Sequence, residues 1–239
     1  MLFSPFQGDH FATNRLDATI EHSLIYALIE LADPRSARLG FEQRSASNQR
    51  AALIALDQMN GGHLTPDEVV RYIGAEDERL RRAASWILGH HPEWGGELAG
   101  WFRAQLTAGN PAVLPALAAQ LHILTRAEAG QRLLADAVTL PGFAESTRNA
   151  ALGAIADARL KDAPASWKAA ALTALTQPAL RSTAVRAALS LNADAAIQTA
   201  LFALARADQQ PAAARLDALA ALLAGIGLSA TDVAFARSQ

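Results

Sequence analysis

Arg50-Ala51-Ala52-Leu53-Ile54-Ala55-Leu56-Asp57-Gln58-Met59 sets Ala52, Leu53, Leu56 and Met59 at three- and four-residue steps, with Gln49, Arg50 and Asp57 elsewhere. That spacing marks one face of a 3.6-residue helix, read here over 48–60. The small-small-apolar start of the stretch recurs along the chain: Arg50-Ala51-Ala52-Leu53, Arg82-Ala83-Ala84-Ser85, Pro115-Ala116-Leu117-Ala118, Asn149-Ala150-Ala151-Leu152, Arg186-Ala187-Ala188-Leu189 and Leu216-Asp217-Ala218-Leu219. Successive starts lie 32, 33, 34, 37 and 30 residues apart, and an earlier copy, Tyr26-Ala27-Leu28-Ile29, precedes the series by a shorter step. Each interval holds two helices of about 10–14 residues plus turns, the unit of an α-solenoid. No such pair can bury its apolar stripe alone, so neighbours must stack into one continuous core.

Start and stop signals agree with that period. Thr65-Pro66-Asp67-Glu68 has the spacing of a capping box with proline at the first helical position, and Thr125-Arg126-Ala127-Glu128 repeats the spacing. Asp33-Pro34 and Asn110-Pro111 are further starts, while Gly61-Gly62, Gly89, Gly109 and Asp162-Ala163-Pro164 supply breaks. The helices predicted are 16–32, 34–41, 48–60, 66–73, 77–89, 93–108, 111–124, 126–139, 143–158, 165–176, 179–191, 193–206 and 211–226. No run alternates apolar and polar residues between hairpin turns, so strand content should be near zero. The fold class expected is all-α, an α-solenoid of six or seven helix pairs over 16–228, with an N-terminal extension at 1–15 and a C-terminal tail at 229–239.

Composition narrows the function. The 239 residues are 51% hydrophobic and 18% charged, and alanine makes up roughly a quarter, an excess that favours helices and lets them approach closely. There is no cysteine, which removes thiolate chemistry, zinc fingers and covalent haem attachment. Residues 1–109 hold 10 basic and 14 acidic side chains and the remainder 11 and 9, so neither half has the cationic excess that phosphate binding demands. Met1 to Phe11 has neither a positive start nor an apolar core and does not read as a secretory signal. The long uncharged stretch between Arg103 and Arg126 is interrupted by Asn110, Pro111, Pro115, Gln105, Gln120 and His122, so it reads as two buried helical segments and no membrane insertion is expected.

The helix pairs, with arginine just ahead of the second helix's small residues, resemble HEAT repeats. That resemblance implies a ladder in which a turn aspartate pairs with the arginine; Asp77 with Arg82 matches it, and Asn48, Glu145 and Ser182 occupy looser counterparts. A narrower likeness covers about residues 17–103: Leu24-Ile25-Tyr26-Ala27-Leu28-Ile29-Glu30, Arg50 to Met59, and His91-Pro92-Glu93-Trp94 resemble the HEAT-repeat region of PVC-type haem-binding, membrane-bound dehydrogenase proteins. In those proteins the resemblance implies a propeller-like dehydrogenase region upstream and a Cys-x-x-Cys-His cytochrome module downstream. This chain has neither, so it would be the spacer or docking module, placed in the periplasm or cell envelope by that parentage and in the cytoplasm without it.

Residues able to carry chemistry have plainer readings. His90-His91 with Glu93 is the densest metal-like group, yet adjacent histidines on a turn point apart. Tyr26 and Glu30 lie four apart on one helical face, with Asp57 on an equivalent face of the next repeat, a spacing common on solvated helices. Trp86, Trp94, Trp101 and Trp167 raise the alternative of a HEAT-like DNA glycosylase, since aromatics beside an acid can hold an extruded base. Across 77–103, however, Arg79, Arg81, Arg82 and Arg103 are balanced by Asp77, Glu78, Glu93 and Glu97, and gap-filling between helices is the plainer role. Arg50, Arg82, Arg148 and Arg186 read as turn-capping and inter-repeat groups before they read as a binding stripe. No nucleophile elbow, phosphate loop or His-Glu-x-x-His string occurs. The reading is therefore a non-enzymatic, cofactor-free protein-binding scaffold, a right-handed stack whose second helices line a concave groove carrying Tyr26, Glu30, Asp57, Trp86 and His90.

Overall fold

The computed structural model describes residues 9–191 and 194–225, with side chains over 19–191 and 194–223. Among them the secondary structure is helical, with no strand: α1 (Asp9–Leu31), α2 (Pro34–Glu42), α3 (Ala46–Gln58), α4 (Pro66–Val70), α5 (Glu78–His90), α6 (Gly95–Ala108), α7 (Leu114–Gln120), α8 (Glu128–Thr139), α9 (Glu145–Ala158), α10 (Ala165–Leu175), α11 (Arg181–Ser190), α12 (Ala195–Arg206) and α13 (Ala212–Gly225). Two 3-10 helices, Pro92–Trp94 and Leu121–Thr125, complete the set. The all-α class expected from the sequence is thus observed, and each helix predicted has its counterpart. The extension at 1–15 meets α1 from Asp9 onward; its first eight residues and the tail at 229–239 lie outside the described residues.

The chain divides into two compact units, residues 1–90 and 91–239. In the first, α3 packs against α1, α2 and α5, and α4 packs against α5. The stripe read from the sequence is its core: Ala52, Leu53, Leu56 and Met59 are all buried. Ala37 of α2 joins Ala55, Leu56 and Met59 there, with Leu28, Ile29, Phe41 and Leu64 packed around them. In the second unit α6, α8, α10 and α12 contact one another in turn, as do α9, α11 and α13, and each of α8, α10 and α12 also packs on the helix that follows it. Alanines permit these approaches: Ala170, Ala171 and Ala174 of α10 and Ala184, Ala187 and Ala188 of α11 are buried.

Local signals hold in some places and fail in others. Thr65 and Glu68 form the reciprocal capping box, the Glu68 amide donating to Thr65 Oγ1 and the Thr65 amide to Glu68 Oε2, but α4 stops at Val70 instead of continuing to 73. Asp33 caps α2 by accepting from the Arg35 amide. Thr125 does not cap: it closes a 3-10 helix, its hydroxyl donating to the His122 carbonyl, and α8 begins after Ala127. Asn110 accepts from the Ala112 amide, yet this makes a turn, and α7 starts only at Leu114. Gly89 lies inside the last turn of α5 and breaks nothing.

The 3-10 stretch Leu121–Thr125 is closely flanked on two sides. Gly95 at the start of α6 and Gly130 in α8 both press on it, so that a Cβ would meet the Ile123 carbonyl oxygen at 2.2 Å from Gly95 and the Leu124 carbonyl oxygen at 2.3 Å from Gly130. Helix backbone approaches backbone on both flanks, which only glycine allows.

One device recurs at the turns. A side chain near the start of a helix donates back to a carbonyl at the end of the preceding helix or in the segment that follows it: Gln49 to Gln43, Arg81 to Ala75, Gln131 to Thr125 and Arg181 to Leu175, each across six residues. Arg148 to Val138 and Arg215 to Ala205 do so across ten. Helix C-terminal carbonyls lack intrahelical donors, and the ties that end on such carbonyls, as at Val138, Leu175 and Ala205, supply one.

Candidate functional site

The ladder implied by HEAT-repeat likeness is not what Asp77 and Arg82 make. Asp77 Oδ1 accepts from the Leu80 amide and so caps its own helix, whereas Arg82 pairs with Glu78 one turn away at 2.6 Å. Of the other recurring arginines, Arg50 reaches Glu21 of α1, Arg148 ties its turn, and Arg186 is exposed on α11.

In the first unit the surface of α3 left free by its core stripe faces two adjoining grooves. Arg50, Ile54 and Gln58, spaced i, i+4, i+8, line both. Toward α1 the groove has a volume of about 390 Å³ and takes in His22, Tyr26 and Ile29. Toward α5 it has a volume of about 590 Å³ and takes in Arg79, Arg82, Ala83 and Trp86. Trp86 is 50% exposed and Tyr26 60%, both large for aromatic side chains.

Of the five groove residues read from the sequence, Tyr26 and Trp86 therefore line this surface. His90 joins them through Trp86: its ring lies 4.0 Å from the indole, centroid to centroid, and its Nδ1 is 2.8 Å from the Trp86 carbonyl oxygen. Glu30 is exposed one turn beyond Tyr26 and Asp57 is half-buried on α3; neither is among the residues lining the two grooves. Arg50, Ile54, Gln58 and Arg79 line the grooves although the sequence reading of the groove omitted them.

Charge in this surface is organised. Arg50 Nε and Nη2 meet Glu21 Oε1 and Oε2, both at 2.7 Å, a two-pronged pair that fixes the guanidinium plane. Arg82 and Glu78 form an exposed pair on the surface of α5. The carboxyls with shifted ionisation lie elsewhere. Glu68 lies below the ordinary range: burial pushes it up, but the hydrogen bonds from Arg38 and Thr65 outweigh that. Asp33 is lowered mainly by the Ser36 hydroxyl, and Asp194 by the Ala196 amide and then Lys168.

The remaining candidates have local roles. His91 Nδ1 is 2.6 Å from Glu93 Oε1, and its ring stacks on Trp94 at 4.0 Å, so it is engaged by its own turn. Among the described residues no group of three or more His, Asp or Glu side chains is placed to hold a metal ion. Trp167 is fully buried and donates Nε1–H to the Gln131 carbonyl at 2.9 Å, fastening α10 to α8. Trp101 meets Phe102 edge to face. No described helix is long and apolar enough to cross a membrane.

Comparison of the chain with family models, with curated proteins and with solved structures gives no match.

Proposed function

We propose that this chain is a non-catalytic protein-interaction scaffold, an α-solenoid of HEAT-like helix pairs whose α1, α3 and α5 present a docking groove. The observation that carries the reading is the pair of adjoining grooves along α3, which put exposed Tyr26 and Trp86 beside the guanidinium of Arg50. Aromatic and arginine side chains dominate the energetic centres of protein interfaces. Packing of α3 on α1 and α5, and of α6, α8, α10 and α12 and of α7, α9, α11 and α13 in turn, supports the repeat architecture, because an array of this kind buries its core by stacking. The likeness over 17–103 adds a role beside a dehydrogenase or cytochrome module, which the chain would dock without performing the redox step itself.

Photo-crosslinking tests the reading in cells that naturally make the protein. A benzophenone side chain placed at Tyr26 or Trp86 should give a discrete protein adduct that one placed at exposed Leu140 does not. Absence of any adduct from both groove positions would reject a docking role for this face. A fluorescent DNA duplex titrated at low salt tests the glycosylase alternative, and tight, salt-sensitive binding with base release would replace the scaffold reading by an enzymatic one.

A further inference from the structure

Within the groove on α3 and α5, the lining side chains combine three guanidinium groups, from Arg50, Arg79 and Arg82, with an indole and an apolar floor of Ile54 and Ala83. No carboxylate lines it. We propose that this groove binds a short acidic peptide segment carrying one apolar or aromatic anchor side chain. The inference rests on the scaffold reading and specifies the chemistry of its partner.

Each part of the site has a matching requirement. Two of the five N–H groups of Arg50 are used by Glu21, and that pair is only 25% and 12% exposed, so the guanidinium is held in place with donors to spare. Arg82 and Glu78 are 77% and 61% exposed, so their pair is worth little and a ligand carboxylate can displace Glu78 at small cost. Packing of His90 against Trp86 fixes the indole as a platform before the ligand arrives, which lowers the entropy lost on binding. A volume of about 590 Å³ accommodates one large side chain and the backbone flanking it.

A nucleic acid is the competing polyanion. Phosphate chains are held by a run of contiguous cations along their length. Here Glu21 and Glu78 stand directly against Arg50 and Arg82 and interrupt any such run, and the apolar floor beside them suits a few carboxylates with an apolar anchor.

The test is selection of a phage-displayed random dodecapeptide library on the immobilised full chain, followed by titration of the enriched peptides by fluorescence anisotropy. Enriched sequences should be acidic with a Phe, Trp or Leu anchor, and their affinity should fall as salt rises. Arg82→Glu and Trp86→Ala should each weaken them about tenfold, while Arg132→Glu, at another exposed pair on α8, should leave them unchanged. Circular dichroism of each variant confirms that the helices persist. Neutral or basic winners, no winners, or acidic peptides indifferent to both groove substitutions would overturn the acidic-peptide inference. Groove crosslinks to a protein in cells would then still stand for the broader scaffold role. Single-stranded DNA that binds and is lost with Arg82→Glu would also overturn it, assigning the groove to nucleic acid.

Discussion

Three glycines separate the demands that one residue type can meet. Gly95 and Gly130 let helix backbones touch the 3-10 stretch Leu121–Thr125, whereas a Cβ at Gly100, in the middle of α6, would meet nothing within 4 Å. Gly95→Ala should therefore overpack its site and cost about 1–3 kcal/mol, and Gly130→Ala the same. Gly100→Ala should stabilise by about 0.5–1 kcal/mol, because alanine removes freedom from the unfolded chain and favours helix. Urea denaturation of the three variants checks the opposite signs, and a stable Gly95→Ala protein would show that α6 can move off its neighbour. Nothing in the sequence around Gly95 or Gly130 distinguishes them from Gly100. Gly95 meets Ile123, some 30 residues on, and Gly130 meets Leu124 across the turn before its own helix, so each approach depends on how helices pack and no local pattern encodes it.

For elements, the deciding feature is how each turn is fastened. Sequence spacing assigns turn-capping and inter-repeat roles to Arg50, Arg82, Arg148 and Arg186. Arg148 does tie its turn and Arg50 reaches Glu21 of α1, but the turns before Arg50 and Arg82 are tied by the residues just ahead of them, Gln49 and Arg81, and a further tie comes from Arg215. Helix and turn were legible because apolar spacing and capping chemistry are local. Which of two adjacent polar residues turns back toward the preceding helix depends on the angle between the two helices, and spacing alone does not carry it. Arg148 gives the sharpest test, since its Nε and Nη2 both donate to the Val138 carbonyl, at 2.9 and 2.6 Å. Arg148→Ala should cost about 1.5–3 kcal/mol as a charged donor is lost to the carbonyl of buried Val138. Arg132→Ala, which removes an exposed pair with Glu128, should cost no more than about 0.5 kcal/mol. Thermal melts compare the two directly, and equal losses would mean that the tie is no stronger than a surface ion pair.

Across the whole molecule, charge sets the response to acid. Asp33, Glu68, Glu93 and Asp194 all have carboxyls lowered from their ordinary values. A carboxyl depressed in the folded state contributes its stability above the unfolded value, near about pH 4, and loses it as pH falls through the folded value. Stability should hold from neutral pH to about pH 5 and decline below about pH 4. Protonation of the 23 acidic side chains also leaves 21 lysines and arginines repelling one another. Glu68→Gln should lower the melting temperature at pH 7 and flatten its decline between pH 5 and pH 3. An unchanged acid profile would remove Glu68 from the account. The groove was half legible from this vantage: Tyr26 and Trp86 announce themselves as aromatics, but Arg50, Ile54 and Gln58 become a surface only because α1 and α5 leave that side of α3 uncovered. Glu30 and Asp57 were drawn in by helical spacing that leaves them beside the grooves and out of their lining.

The turn ties have an evolutionary corollary. Donor and acceptor of each lie six or ten residues apart in the chain, so a gene segment encoding one hairpin encodes its own fastener as well. Duplication or loss of such a segment leaves every remaining turn intact. Recombination can therefore lengthen or shorten the chain in whole hairpins, while the apolar faces newly brought together bear the burden of refitting.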